Sequence, residues 1–145
     1  MTAVDTNVVV RFLTRDAAGQ FQQAVALFNR DTIQVPDTVL LETEWVLRFA
    51  YGYDPAAVTK AFRDLLGLPQ VHVTNAVRLL LAIEWHAAGL DFADALHLAS
   101  SQDEDTLATF DRSFVHKSAN LGRCRVVDLS AAGRDKLTKQ GQNAP

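Results

Sequence analysis

The sequence predicts a single α/β domain built on a parallel sheet. Short apolar runs alternate with segments of helical periodicity, which is the order expected of βαβ units. Its 145 residues are enough for one sizeable hydrophobic core. A content of 48% hydrophobic and 21% charged residues is typical of a globular chain. We expect this domain over residues 1–129, followed by a polar, frayed tail over residues 130–145.

Turn and capping residues divide the domain into its elements. Strands are predicted at residues 2–4, 33–35, 71–73, 106–110 and 125–127. Helices are predicted over 17–28, 38–50, 57–66 and 75–88, with a further one beginning at Asp91 or Phe92. The run at 106–110 has the composition of a buried strand, and we expect Trp45 and the phenylalanines in the core.

Composition limits the class of protein. Lys and Arg number 14 and Asp and Glu number 17, so the formal charge of 14 − 17 = −3 argues against a passive nucleic-acid coat. A single cysteine, Cys124, excludes an internal disulfide and a zinc site of several thiolates. The chain has neither a basic leader nor a long apolar run, so we expect a cytoplasmic protein that does not enter the membrane.

Two aspartates, Asp5 and Asp111, each follow a predicted strand. Ligands of parallel α/β sheets bind at the carboxyl ends of the strands, so both carboxylates are candidates for one functional site. The alternative for either residue is a turn or a helix cap, where aspartate forms hydrogen bonds with the nearby backbone.

Glu42 and Glu44 fall on different faces of the helix predicted at 38–50. At about 100° per residue, Glu42 joins the apolar stripe of Trp45, whereas Glu44 lies beside Arg48. A carboxylate on an apolar stripe is costly unless it meets a cation, a metal or hydrogen-bond donors. Glu42 is therefore the candidate for the site, and Glu44 is expected in a surface ion pair.

Asp91 and Asp94 lie at the start of the next helix. Asp91 as the cap with an acid three residues later resembles a capping box, and both charges favour a helix N-terminus. Asp94 also shares a polar face with His97 and Ser101, and such a face borders solvent or a cleft. The two interpretations of Asp94, structural and functional, stay open. The four histidines have no spacing typical of a metal site.

Together these motifs resemble the PIN-domain nucleases, in particular the VapC-type toxins of bacterial toxin–antitoxin pairs. The similarity covers residues 2–127, and the four acids occur in the order of the family. The resemblance implies a three-layer α/β/α PIN-like domain with a short, mainly parallel central sheet. It also implies Mg²⁺- or Mn²⁺-dependent endoribonuclease activity. The motifs are Asp5-Thr6-Asn7, Glu42 in the segment 39–47, Asp94 in the segment 91–97, and Thr109-Phe110-Asp111.

Each matching residue takes a role from this resemblance. The acidic quartet that is catalytic and binds the metal matches Asp5, Glu42, Asp94 and Asp111. The polar neighbours of the quartet match Thr6, Asn7 and Thr109, whereas Asp91 is an additional acid that departs from the family pattern and would assist or replace Asp94. Independently of the resemblance, Arg11 and Arg112 are candidates for contact with a substrate phosphate. The implied partners are RNA, a second copy of the chain in a homodimer, and a small antitoxin. Trp45, Phe49 and Phe62 lie on apolar stripes that would form either the antitoxin groove or the core.

Electrostatics supports a cation at such a quartet. Two carboxylates about 5 Å apart repel each other by roughly 3 kcal/mol at an effective dielectric constant near 20. Mg²⁺ and Mn²⁺ prefer oxygen ligands and would offset this repulsion. Either ion would also activate a water molecule for attack on a phosphodiester.

Two other classes of function stay open. A phosphatase of the haloacid-dehalogenase type also uses an aspartate after its first strand, but it needs an acid two residues later, where this chain has Asn7. A non-catalytic interaction subunit of a DNA-binding complex would use the same acids only as helix caps. A covalent aspartyl-phosphate would identify the phosphatase, and metal-dependent cleavage by the purified chain would exclude the interaction subunit.

Overall fold

The computed structural model of the chain describes residues 1–130. The strands are β1 (Thr2–Ala3), β2 (Ile33–Gln34), β3 (Val71–His72), β4 (Thr106–Thr109) and β5 (Arg125–Asp128). The helices are α1 (Thr6–Thr14), α2 (Ala18–Arg30), α3 (Asp37–Tyr51), α4 (Pro55–Leu66), α5 (Ala76–Ala87), α6 (Phe92–Ser100) and α7 (Arg112–Lys117). Residues 131–145, which hold nearly all of the predicted tail, lie outside this description. None of the helices in the described range is long and apolar enough to cross a membrane.

The strands pair in parallel, as predicted. Three of them form a sheet in the order β1-β2-β3, and β4 pairs with β5 in a second sheet. Thr2 lies opposite Ile33 in the first sheet, and Thr109 lies opposite Asp128 in the second. The strands thus form a three-stranded and a two-stranded parallel sheet in place of the expected single sheet.

Most predicted elements are confirmed to within two residues at either end. The helices α1 and α7 were not predicted. The run Val8-Val9-Val10 has weak helix propensity, but Asp5 caps α1, and Val9 and Val10 are buried, so capping and tertiary packing decide its structure. α7 has six residues, too few to show helical periodicity in the sequence.

The hydrophobic core lies between the strands and the helices packed on them. Ile33 and Val35 of the β2 segment are fully buried, as is Leu40 at the start of α3. Phe62 of α4 and Phe92 of α6 meet edge to face with ring centroids 5.4 Å apart. This contact ties α4 to the helix that carries Asp94.

Side-chain caps fix the start of several helices. Asp54 accepts a hydrogen bond from the Ala57 N–H at 2.8 Å, and Pro55 occupies the first turn of α4. At the end of α3, Gly52 has φ +68, the left-handed conformation that glycine adopts without strain. The helices predicted over 38–50 and 57–66 place one helix end and one helix start in this segment, as the structure does.

The two faces of α3 are the reverse of the prediction. Glu44 is only 3% exposed, whereas Glu42 is exposed. The expected pair forms, with the Arg48 Nε donating to the Glu44 Oε1 at 2.9 Å, but the carboxylate is buried and the arginine reaches solvent. The expectation that Glu44 lies on the surface is wrong, because α3 turns its Leu40–Leu47 face inward.

Three aromatic side chains expected in the core are on the surface. Trp45 is 55% exposed and Phe49 is 62% exposed, and their rings lie 4.9 Å apart. Phe110 is 76% exposed, and β4 ends one residue before it with alternating rather than continuous burial. Since Phe62 is fully buried, Trp45, Phe49 and Phe62 do not share one surface groove.

This division between core and surface predicts different costs of truncation. The Phe62→Ala substitution should lower the free energy of unfolding by about 3–5 kcal/mol, because it leaves a cavity in the core. The Phe49→Ala substitution should cost less than about 1 kcal/mol, since an exposed ring loses mainly its contacts with Trp45 and Arg48. Urea denaturation of both variants measures the difference. Equal losses would contradict the assignment of Phe49 to the surface.

Candidate functional site

Acidic residues follow parallel strands at their carboxyl ends. Asp5 comes after β1 and the buried Val4, and Asp111 comes two residues after β4. Asp37 follows β2, whose Gln34 pairs with Ala3. Because β1 and β2 are neighbouring parallel strands, Asp5 and Asp37 both lie beyond the carboxyl ends of the strands of the first sheet.

The pKa of Asp94 is affected by two other carboxylates, those of Asp91 and Asp111. Asp94 is half-buried on the first turn of α6. Burial raises the pKa of its carboxyl, and the negative charges of Asp91 and Asp111 raise it further. His97 and Lys117 oppose this rise. Asp94 therefore lies within electrostatic reach of its own helix cap and of the acid that follows β4.

Asp111 is held by backbone hydrogen bonds. Its Oδ1 accepts from the N–H groups of Ser113 at 2.9 Å and Phe114 at 3.2 Å. The Thr109 hydroxyl oxygen accepts from the Asp111 N–H at 3.0 Å, which fixes the turn from β4 into α7. Asp94 and Thr109 line one surface cleft of about 350 Å³. These bonds leave the Asp111 Oδ2 without a partner among the described residues.

Asp91 has the structural role that the capping pattern predicts. Its Oδ2 accepts a hydrogen bond from the Asp94 N–H at 3.2 Å and so caps α6. It also contributes to the negative potential at Asp94. The two interpretations of Asp91, cap and neighbour of the site, are therefore compatible.

Asp5 begins α1 and faces a separate cleft. Its Oδ1 accepts from the Val8 N–H at 3.2 Å, and the side chain is exposed. Thr6 is 8% exposed, whereas Asn7 is exposed and lines the same cleft as Asp5. Asp5 forms no ion pair with any described residue.

Glu42 lies on α3, which packs against both α1 and α6. This helix therefore lies beside the elements that carry Asp5 and Asp94. The exposed Glu42 side chain makes no hydrogen bond or ion pair within residues 1–130. The structure thus keeps Glu42 available to a ligand but does not join it to the other acids.

The two arginines proposed for phosphate binding differ in their availability. The Arg11 guanidinium donates to Asp16 at 3.0 Å, to the Tyr51 hydroxyl at 3.0 Å and, through Nε, to Gln20 at 2.6 Å. Its charge is therefore compensated inside a network at the α1–α2 connection. Arg112 pairs with Asp128 at 3.6 Å, and 81% of its side chain is exposed, so it is the freer cation.

The donor set suits magnesium or manganese better than zinc. No three His, Cys, Asp or Glu side chains in the described part of the chain form a complete metal-binding group. Magnesium is usually held by one or two carboxylates, and water and substrate phosphate complete its coordination. Asp94 and Asp111 meet that lower requirement, since both are carboxylates and the half-buried Asp94 forms no ion pair with any residue of the described range.

Asp37 is an acid that the sequence analysis did not select as a site residue. It is the first residue of α3, whose N-cap is Pro36. Its Oδ1 is buried and has no hydrogen-bond partner among the described residues. Asp37 comes two residues after the strand predicted at 33–35, so a position soon after a strand, the signal that selected Asp5, would have identified it.

The raised pKa of Asp94 predicts how folding stability depends on pH. Because the folded chain holds this proton more tightly than the unfolded chain, ionisation of Asp94 lowers stability as the pH rises from about 3.9 through the folded value. In metal-free buffer at pH 7 the Asp94→Asn variant should therefore melt at a higher temperature than the wild type. Thermal melts between pH 3 and pH 7 measure this gap, which should close at the acidic end. A gap independent of pH would contradict the assigned cause.

Comparison with known proteins identifies the family. No curated protein matches the chain. A family model described as the PIN domain matches residues 2–120, which is most of the 145-residue chain. PIN domains are in general nucleases that typically use divalent metals, and the helices and short parallel strands agree with their three-layer α/β/α fold. The chain therefore belongs to the PIN-domain family.

Proposed function

We propose that this chain is a divalent-metal-dependent endoribonuclease and the toxin of a toxin–antitoxin pair of the VapC type. The observation that carries the proposal is the position of Asp94, half-buried and within reach of the carboxylates of Asp91 and Asp111. In a family of nucleases this unfavourable arrangement has a function, because a bound cation would relieve the repulsion among the carboxylates and would also attract a phosphodiester. RNA as the substrate rests on the resemblance of the motifs to VapC-type toxins.

Asp94 and Asp111 would hold Mg²⁺ or Mn²⁺, with Asp5 and Glu42 as further ligands. When bound, the ion supplies a Lewis acid that lowers the pKa of a water molecule and neutralises charge on the phosphate. The protein's own contribution is orientation. The backbone N–H groups of Ser113 and Phe114 hold one oxygen of Asp111 and leave the other for the ligand.

The remaining site residues would position the water and the substrate. Glu42 is exposed and unpaired in the described range, so it is available to orient a water or to accept its proton. Asn7, beside Asp5, would donate its amide to a carboxylate or a water. Arg112 follows Asp111 directly in the chain and Lys117 is the last residue of α7, and both would contact phosphate oxygens.

The antitoxin would bind a groove formed by α1, α2 and α4. This groove has a volume of about 520 Å³, and charged residues at its edge include Arg15, Lys60 and Asp64. An amphipathic segment fits such a groove by placing its apolar side chains at helical spacing. The apolar lining consists of Phe12, Leu13, Phe21, Val25, Leu65 and Leu68, among others.

The homodimer would use the exposed aromatic pair of α3. Trp45 and Phe49 are more than half exposed, and the Arg48 guanidinium lies 4.5 Å from the Phe49 ring centroid. Aromatic side chains and arginine are enriched in protein interfaces. A second copy of the chain would cover this pair close to Glu42 on the same helix.

Removal of a carboxylate tests the role of the metal site. Asp94→Asn and Asp111→Asn should each lower Mg²⁺-dependent cleavage of single-stranded RNA at least about a hundredfold, since several kcal/mol of charge stabilisation are lost. The matched control is Asp64→Asn, which removes only an exposed pair with Lys60. Cleavage rates with Mg²⁺ and with EDTA give the comparison. Full activity in a folded Asp94→Asn variant would exclude the proposed site.

The two glutamates of α3 provide a second, internal test. Glu42→Gln should depress cleavage strongly and leave the melting temperature nearly unchanged, because the exposed carboxylate has no partner in the described chain. Glu44→Gln makes the same chemical change at a buried residue paired with Arg48 and should act mainly on folding. Rates and melting temperatures of both variants are measured in parallel. A larger loss of cleavage in folded Glu44→Gln would place the catalytic glutamate at 44.

A further inference from the structure

A cleft opens between α1 and α2 beside Asp5, and of its lining residues only Asp5 and Asn7 have a role in the function proposed so far. Its volume is about 390 Å³, within the range of roughly 300–1,000 Å³ that is usual for pockets of small ligands. Polar and apolar side chains contribute to its walls. The lining residues are Asp5, Asn7, Val8, Arg11, Gln20, Gln23, Ala24 and Leu27.

Helix geometry separates the polar rim from the apolar floor. Gln20, Gln23, Ala24 and Leu27 are spaced three and four residues apart, so they share one face of α2. The hydrogen bond from the Arg11 Nε to the Gln20 Oε1 closes one end of the cleft. Asp5 and Asn7 stand at the N-terminus of α1, and Val8 with two apolar residues of α2 provides the floor.

Two amide side chains of the cleft are unpaired. Asn7 and Gln23 are exposed and make no side-chain hydrogen bond to any other described residue. Each amide offers donors and an acceptor side by side. Such a pair matches the edge of a nucleobase, which also presents donors and acceptors, while the apolar floor suits the face of the ring.

The charges of the cleft argue against a phosphate as its ligand. Asp5 would repel an anion, and Asp16 and Tyr51 already occupy the Arg11 guanidinium outside the cleft. A neutral, flat group with a polar edge is not repelled by Asp5 and does not need the Arg11 guanidinium. If Asp5 is a metal ligand, as proposed above, such a group would lie next to the phosphate that the nuclease would cleave.

We infer that the α1–α2 cleft binds the nucleobase of one nucleotide adjacent to the scissile phosphate of single-stranded RNA, and that Gln23 selects this base. The inference rests on the proposed nuclease function. Gln23 is a specificity residue that takes no part in the proposed chemistry. Its loss should therefore change which nucleotide is preferred more than it changes the overall rate.

The test compares Gln23→Ala with Gln22→Ala in the full chain. Gln22 is the neighbouring exposed residue of α2 and does not line the cleft, so it is a matched control. A random-sequence single-stranded RNA pool is cleaved with Mg²⁺, and sequencing of the ends gives the nucleotide frequencies at each position around the cut. Circular dichroism verifies that each variant is folded.

The wild type and Gln22→Ala should prefer the same nucleotide at one flanking position, and Gln23→Ala should reduce that preference at least about fivefold. Gln23→Glu, whose side chain only accepts hydrogen bonds, should shift the preference toward bases with an exocyclic amino group. An unchanged profile in Gln23→Ala, or a wild type without any preference, would overturn the inference and leave the nuclease proposal intact. Failure of the wild type to cleave the pool would overturn both.

Discussion

The burial of Asp94 beside two other carboxylates is the constraint that organises the candidate site. Burial raises the pKa of Asp94, and the negative charges of Asp91 and Asp111 raise it further. Each of these two neighbours accepts hydrogen bonds from a helix N-terminus, so moving either one away from Asp94 would uncap α6 or α7. Helix caps that stabilise the fold thus also maintain an electrostatically unfavourable group, which a bound cation would turn into a favourable one.

The short strands explain how such a group forms in a small domain. β1 and β2 contribute two residues each to their sheet, and Asp5 and Asp37 follow them within three residues. Much of each connection is occupied by the first turn of a helix, so the acids lie where helix N-termini and strand ends meet. The buried contact between Phe62 and Phe92 supports α6 from the opposite side. The core therefore positions the site through its helices.

The sequence predicts most of the fold because capping residues, glycines and strand composition are local signals. It fails for α3, where the helical wheel gives the spacing of Glu42 and Glu44 but not which side faces the core. Trp45 and Phe49 suggested the wrong side, since large aromatic residues also occur on surfaces that bind partners. Phe110 was misplaced for the same reason. The order of the acids along the chain can be determined from the sequence. The burial of the Asp37 Oδ1 without a hydrogen-bond partner in the described range depends on three-dimensional packing and cannot.

We propose that Asp94 belongs to a carboxylate group that binds a cation, and an NMR titration that follows the side-chain carboxyl carbon of Asp94 with and without Mg²⁺ tests this most directly. In metal-free buffer we expect a pKa for Asp94 above the ordinary aspartate value of about 3.9. We expect this pKa to fall markedly when Mg²⁺ is added. An ordinary pKa in metal-free buffer, or an Asp94 titration that Mg²⁺ leaves unchanged, would contradict the proposed site.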